Sequence, residues 1–277
     1  NICQLGEWKG PNICTKALAC SHRCWRYRNH TSIDYNCSID AENLKINMGH
    51  SKKLDLDQWK KPEETSPEQL EDGIVDARGA DWRRIKLGNL NLTKAKLCRC
   101  DLRGADLSLC QLNEADLRLA KYDSDTKFPD EFDISISGAI GPGAKLNGAY
   151  LNGTDLREMD LRKSSLMGAY LSGSDLSGAL LDGVSLAGAD LRSAIMRGTM
   201  CRDTRFGTSE LNMTDLRGAN LQGANLENVE SIKGADFTLC TGLGEQIQYL
   251  LNRPSAELDC WNPLTRSTTR TSLESLG

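Results

Sequence analysis

The sequence predicts an all-β solenoid, and three observations predict it. Between Ala144 and Leu226 an apolar slot recurs every fifth residue without a break. Leucine holds it from Leu146 to Leu191, then Met196, Cys201 and Phe206, then leucine again from Leu211 to Leu226. Two residues before each slot stands a small or modest side chain, as at Ala144, Ser164 and Ala169. The remaining positions are filled by Asp, Asn, Arg, Ser and Gly, as in AKLNG, TDLRE and ADLRS. A period of five fits neither the 3.6 of a helix nor the 2.0 of a strand. It fits a coil in which each pentapeptide makes one side and then turns a corner, and a repeat this regular outranks local propensity.

Each position of the unit has a physical reason. Only a small residue shares a narrow core with leucine, which accounts for the alanines and serines. Glycine closes many units because a corner needs backbone freedom that other residues lack. An earlier run uses the same slots at Trp82, Leu87, Leu92, Leu97, Leu102, Leu107, Leu112, Leu117 and Tyr122, with Cys100 and Cys110 at the inward small position. Buried thiols are the expected reading of that pair, since cysteine is small enough to replace alanine. Units of the form A(D/N)LXX resemble the pentapeptide-repeat family, from about Ala80 to Leu239. The resemblance implies a right-handed, four-sided β-helix with four pentapeptides per coil. About seven coils stacked at ~4.8 Å would form a rod of roughly 34 Å.

In chain order, residues 1–61 read as a Cys-rich extended arm without repeats. Cys3, Cys14, Cys20, Cys24 and Cys37 fall here. The spacing of Cys14, Cys20, Cys24 and Cys37, with His22 nearby, lacks the paired C-x2-C knuckles of a zinc site and points to structural disulfides. Trp8, Trp25, Arg26, Tyr27, Arg28 and Tyr35 are of the residue types that anchor interfaces. The arm therefore reads as a partner-docking segment, as a disulfide-tied cover over the first coil, or as both. Residues 62–79 read as a boundary with a capping helix, because Ser66, Pro67 and Gln69 form a helix-start pattern that Gly73 would end.

Residues 80–122 are the first repeat block, in which Cys98 falls on an outward position and is a candidate for a link to another segment or chain. Residues 123–143 read as an inserted surface loop rich in aspartate, proline and glycine. Asp123, Asp125, Asp130, Glu131 and Asp133 lack the glycine and terminal glutamate of an EF-hand, so a solvated acidic loop is expected. As a long excursion from a rod it is a place for partner contacts, with Asp123, Phe128 and Phe132 as candidates. Residues 144–239 are the second block, whose register slips by one near Ser231. Residues 240–277 read as a helical cap and tail, with Ile247, Leu250 and Leu251 on one helical face and Pro254 after it.

The tail NPLTRSTTRTSL is similar to the C-terminal cap of small pentapeptide proteins of the thylakoid lumen, through Asn262, Pro263, Thr265, Thr269, Arg270, Ser272 and Leu273. A final cysteine of that pattern is missing, which leaves Cys240 as the candidate partner of Cys260. Eleven cysteines in 277 residues favour an oxidising compartment. With the tail, they point to the thylakoid lumen of a plastid. The chain opens on Asn1 rather than Met, so a processed or truncated form is expected. No apolar run approaches the ~20 residues of a membrane span.

Chemistry is sparse. The three histidines, His22, His30 and His50, lie outside the repeats, and no phosphate loop, dinucleotide fingerprint or nucleophile elbow occurs. No cofactor, metal or small-molecule substrate is expected, and no enzyme. Two classes remain. One is an assembly or protein-binding subunit, attached to the lumenal side of a photosynthetic membrane complex such as a photosystem and its antenna, or else a free lumenal regulator. The other is a DNA mimic of the gyrase-binding type. Mimicry needs a strongly acidic face. From Asp81 to Asp236 there are 22 acidic and 20 basic residues, which speaks against it.

Overall fold

The structure, a computed structural model, describes residues 74–277. Parallel bridges join residues twenty apart: Asp76 with Lys96, Asp81 with Asp101, Lys86 with Asp106, Asn91 with Gln111. The same spacing returns from Lys145 with Ser165 through Arg205 with Asn225. Four pentapeptides therefore complete one turn, and the coil has four sides. Each side is a single bridge, too short to be a strand, yet the backbone is satisfied. Leu151 N donates to Tyr170 O at 2.8 Å, Tyr170 N returns to Ala149 O at 2.9 Å, and Ala149 N closes the corner on Leu146 O at 3.1 Å. Pairing backbone groups from coil to coil is what permits so narrow a rod.

Every slot of the second block is buried, and so are most of the small residues two before it. The residue two after the slot turns the corner with positive φ. Glycine does so freely at Gly148 and Gly153 (φ 65° and 63°), but Glu158 and Lys163 adopt the same conformation (58° and 63°). A non-glycine residue there costs roughly 1–2 kcal/mol, which the ladder on both sides imposes.

Two boundaries differ from the sequence reading. The ladder is already running at Asp76, inside the segment assigned to the boundary, so the first block starts before residue 80. The segment 123–143 is not an excursion from the rod. It carries rungs of its own, Lys127 to Asp106 and Ile140 to Lys121, and so continues the coil. Its spacing is irregular, because Asp123 and Thr126 bind one another in a tight turn (Thr126 N to Asp123 Oδ1, 3.0 Å) and a 3-10 turn follows at Ile134–Ile136. Tyr122 is buried there, and the half-buried Phe128 and Phe132 pack outward from it in series, with ring centroids 5.9 Å apart in each successive pair. Lys145 N then donates to Ser135 O at 2.8 Å, a rung of ten residues instead of twenty. The chain passes this seam at Gly141, directly over the Tyr122 ring, where a Cβ would lie 2.8 Å from both Cδ atoms.

Near Ser231 the bridges lengthen to twenty-one residues, Glu210 with Ser231 and Asp215 with Asp236. Beyond Thr241 come α1 (Gln246–Leu251), α2 (Ser255–Leu258), the antiparallel pair β1 (Trp261–Asn262) and β2 (Ser267–Thr268), and α3 (Thr269–Glu274). Their side chains take over the backbone groups that a further coil would bind. Gln246 Nε2 donates to Ala224 O (2.7 Å) and its Oε1 accepts from Leu226 N (3.0 Å). Glu257 accepts from Ile232 N, Thr269 Oγ1 donates to Ile232 O, and Asn262 Nδ2 donates to Gly234 O. The tail pattern is thus a set of end-of-ladder ligands: Asn262, Thr269, Ser272 and Leu273 are all buried, and Arg270 holds Asp259.

The expected Cys240–Cys260 disulfide is absent. Cys240 occupies the inward small position, and its thiol donates to Leu216 O at 2.9 Å. Cys260 lies outside, with its sulfur against Gly234. Among the described residues no helix is long and apolar enough to cross a membrane.

Candidate functional site

Eight units carry the sequence Asp-x-Arg at the bridge position, and all eight close into a two-point clamp. Arg83 Nε meets Asp81 Oδ1 at 2.8 Å and Nη2 meets Oδ2 at 2.5 Å. The same geometry holds at Asp76/Arg78, Asp101/Arg103, Asp116/Arg118, Asp155/Arg157, Asp160/Arg162, Asp190/Arg192 and Asp215/Arg217. Arg197 adds a second guanidinium to Asp215, and Arg202 reaches across a coil to Asp182. Bidentate pairs of this kind fix geometry as well as charge. They neutralise the faces locally, so the carboxylates present no continuous acidic track.

The clamps also set the pH response. The Arg83 guanidinium holds the Asp81 carboxyl down at about 2, and Arg118 and Arg157 hold Asp116 and Asp155 lower still. A carboxylate depressed on folding stabilises the fold above its unfolded pKa, ~3.9, and that contribution fades as pH falls through the folded value. Thermal melts followed by circular dichroism should therefore be flat from pH 7 to 5 and fall only below about pH 4. A drop between pH 7 and 5 would contradict this assignment.

Among the described residues the inward-facing thiols are poor nucleophiles. Burial pushes Cys100, Cys201 and Cys240 up to about 12. Cys98, expected to face outward, is half-buried, and its thiol donates to Asp116 Oδ2 at 2.9 Å. Burial and that carboxylate raise its pKa too. Among the described residues no cluster of His, Cys, Asp or Glu is arranged to hold a metal. Asp133 caps the 3-10 turn through Ser135 instead.

Of the residues singled out in the sequence, Asp123 is a turn organiser whose Oδ1 accepts from Gly104 N, Asp125 N and Thr126 N. Phe128 and Phe132 are half-buried and packed against the core. Cys3 through Cys37, Trp8 through Tyr35 and the helix expected from Ser66 lie outside the described residues.

The surface that stands out was missed in the sequence. At the seam an open groove of about 460 Å³ is lined by Cys98, Arg99, Arg118 and Leu119 from the first block, by Gly138, and by Lys145, Asn147 and Tyr150 from the second. The half-coil rung at Lys145 and Ser135 is what brings the two blocks to one groove. Tyr150, 75 % exposed, stacks on Tyr170 of the next coil, 42 % exposed, with centroids 4.8 Å apart and planes within 5°. A signal existed: Tyr150 and Tyr170 are twenty residues apart, one turn of a four-sided coil.

The family model described as pentapeptide repeats matches in eight copies, over residues 85–121 and, in overlapping stretches, 143–241. The unmatched interval between them is the seam. Several solved structures are similar. A pentapeptide repeat protein of the Arabidopsis thaliana thylakoid lumen is 32 % identical, over 48 % of this chain and 89 % of that one, with a TM-score of 0.35. HetL, a pentapeptide repeat protein involved in heterocyst differentiation regulation in the cyanobacterium Nostoc, is 24 % identical, over 62 % and 92 %, with a TM-score of 0.25. QnrB1, a plasmid-mediated fluoroquinolone resistance protein, is 15 % identical, over 59 % and 72 %, with a TM-score of 0.37. No curated protein matches the chain. Fivefold periodicity, a ladder of twenty-residue rungs and eight family-model copies agree, and the chain belongs to the pentapeptide repeat family.

Proposed function

We propose that this protein is a non-enzymatic binding or assembly subunit that joins other proteins through the irregular parts of a rigid rod. One observation carries the reading. The open grooves on the ladder are lined by aspartate and arginine together, whereas the seam groove has cations and apolar side chains without a carboxylate, beside a pair of exposed, stacked tyrosines. Tyrosine and arginine are the residues that anchor protein interfaces. A DNA mimic would need unpaired carboxylates in a row, and the eight Asp-x-Arg clamps remove them.

The compartment in this proposal is the thylakoid lumen of a plastid, and the partner is the lumenal side of a photosynthetic membrane complex, a photosystem with its antenna. Support comes from the tail pattern Asn262–Leu273 and from the sequence identity shared with a thylakoid-lumen protein. The Cys-rich arm 1–61 serves as a second attachment in this scheme. Deleting residues 1–61 is expected to release the chain from its complex in mild detergent while the rod keeps its far-ultraviolet circular dichroism and melting temperature. Undiminished co-purification of the shortened chain would remove the arm from the scheme.

A further inference from the structure

The seam groove differs from the faces in its charge balance. Most arginines of the ladder close on an aspartate. Arg99 and Lys145, both exposed, make no ion pair among the described residues, as is true of Arg84 and Arg205, but Arg84 lines a groove that also holds Asp81 and Asp123. Arg118 contributes a third cation, held by Asp116, whose carboxylate also takes the Cys98 thiol. No carboxylate lines the groove. The nearest acid from the packed 3-10 turn, Asp133, feels the Lys145 charge but accepts from Ser135 N and Oγ. Between the cations the wall is apolar, made by Leu119 and Ala149, and Tyr150 stands at its edge.

We infer that this groove docks an acidic segment of a partner protein, with carboxylates meeting Arg99 and Lys145 and an apolar or aromatic side chain laid on Leu119 and Tyr150. A guanidinium and an ammonium without counter-charge attract carboxylates, and the apolar wall rewards a segment that also carries a hydrophobic side chain. Nucleic acid suits the groove less, because a phosphate backbone needs a continued run of cations, and the ladder beyond the seam is neutralised by the Asp155/Arg157 and Asp160/Arg162 clamps. A second copy of this chain suits it less too, since most of the ladder's aspartates are already clamped by arginine. The inference rests on the protein-binding reading above.

The test uses the full chain and fluorescent probes. One is a twelve-residue peptide alternating Asp or Glu with Leu or Phe. The others are the same peptide with lysine for each acid, an all-glutamate peptide, and a short DNA duplex. Anisotropy titrations should show saturable, salt-sensitive binding of the acidic–apolar peptide, weaker binding of the all-glutamate one, and none of the lysine peptide or the DNA. Arg99→Glu with Lys145→Glu should weaken binding at least tenfold, roughly the loss of one or two charge-assisted contacts. Tyr150→Ala should weaken it severalfold, and Arg205→Glu, an exposed cation on the ladder, should not change it. If the double variant melts early, Lys145→Gln alone is read instead and should cost severalfold.

Equal binding by the variants, equal binding of DNA, or no saturable binding at all overturns the inference. A negative peptide result alongside co-purification with a membrane complex sinks the groove and leaves the binding reading intact. Loss of both sinks both.

Discussion

Phe206→Ala is expected to destabilise the rod by about 3–5 kcal/mol, the usual cost of emptying a fully buried aromatic site. Phe206 holds a leucine slot with no exposure at all, between the coil of Leu186 and that of Leu226. The surrounding corners are pinned by rungs on both sides, such as Phe206 N to Asn225 O at 3.0 Å, so the walls cannot collapse into the cavity. In a solenoid each coil touches only its neighbours, and a weakened layer lowers the coupling between the halves it joins. Denaturant titration should show a lower midpoint. An unchanged slope would mean that the rod still unfolds as one unit, and a reduced slope that it parts at the damaged coil. A shift under about 1 kcal/mol would show that the layer can relax, contrary to the rigid packing described here.

Gly141→Ala is the second large effect. The added Cβ would lie 2.7 Å from Tyr122 O and 2.8 Å from the ring carbons below it. Neither can move freely, because the ring is packed on Phe128 and its hydroxyl donates to Pro142 O at 2.8 Å. Overpacking of this kind costs about 1–3 kcal/mol or more. Gly207→Ala is the matched control: nothing lies within 4 Å of its Cβ position and its φ is not positive. That variant should be neutral, or gain up to about 1 kcal/mol through the unfolded chain. Thermal melts of the two proteins decide the matter, and equal melting temperatures would contradict the close passage of the chain over Tyr122. Because Lys145 and Tyr150 follow directly, Gly141→Ala should also weaken binding at the seam groove.

The regular part of this fold was readable from the sequence because one residue type in one slot carries the packing. A buried leucine every fifth residue admits a single geometry, and the small residue two before it says how narrow the interior is. The seam was not readable in the same way. Phe128 and Phe132 sit in a stretch of aspartate and proline that reads as solvated, and the run of ring contacts from Tyr122 to Phe128 to Phe132 packs them against the core. The groove combines outward positions from units about fifty residues apart, Arg99 and Tyr150, and outward positions look alike in a repeat. Their meeting depends on the half-coil rung at Lys145, which no local pattern encodes. In the sequence the Asp-x-Arg clamps are visible only as composition, a near-balance of acidic and basic residues. The ladder places Asp at the bridge and Arg two residues on, just before the corner, and that spacing makes each pair bidentate. The Cys240–Cys260 pairing failed for a related reason: the repeat's alternation turns Cys240 inward, where no outer thiol can reach it.

The most direct test of binding through the seam rather than the faces is amine cross-linking of the intact chain, co-purified in mild detergent from the membrane of its source. Lysines sample both regions: Lys145 lies in the groove, while Lys163 and Lys233 are exposed on the ladder and at its end. The expected result is a partner cross-link at Lys145 that is lost in the Arg99→Glu and Tyr150→Ala proteins, with Lys163 unlinked. Partner cross-links confined to Lys163 and Lys233, or a chain that migrates free of any complex, would contradict the account.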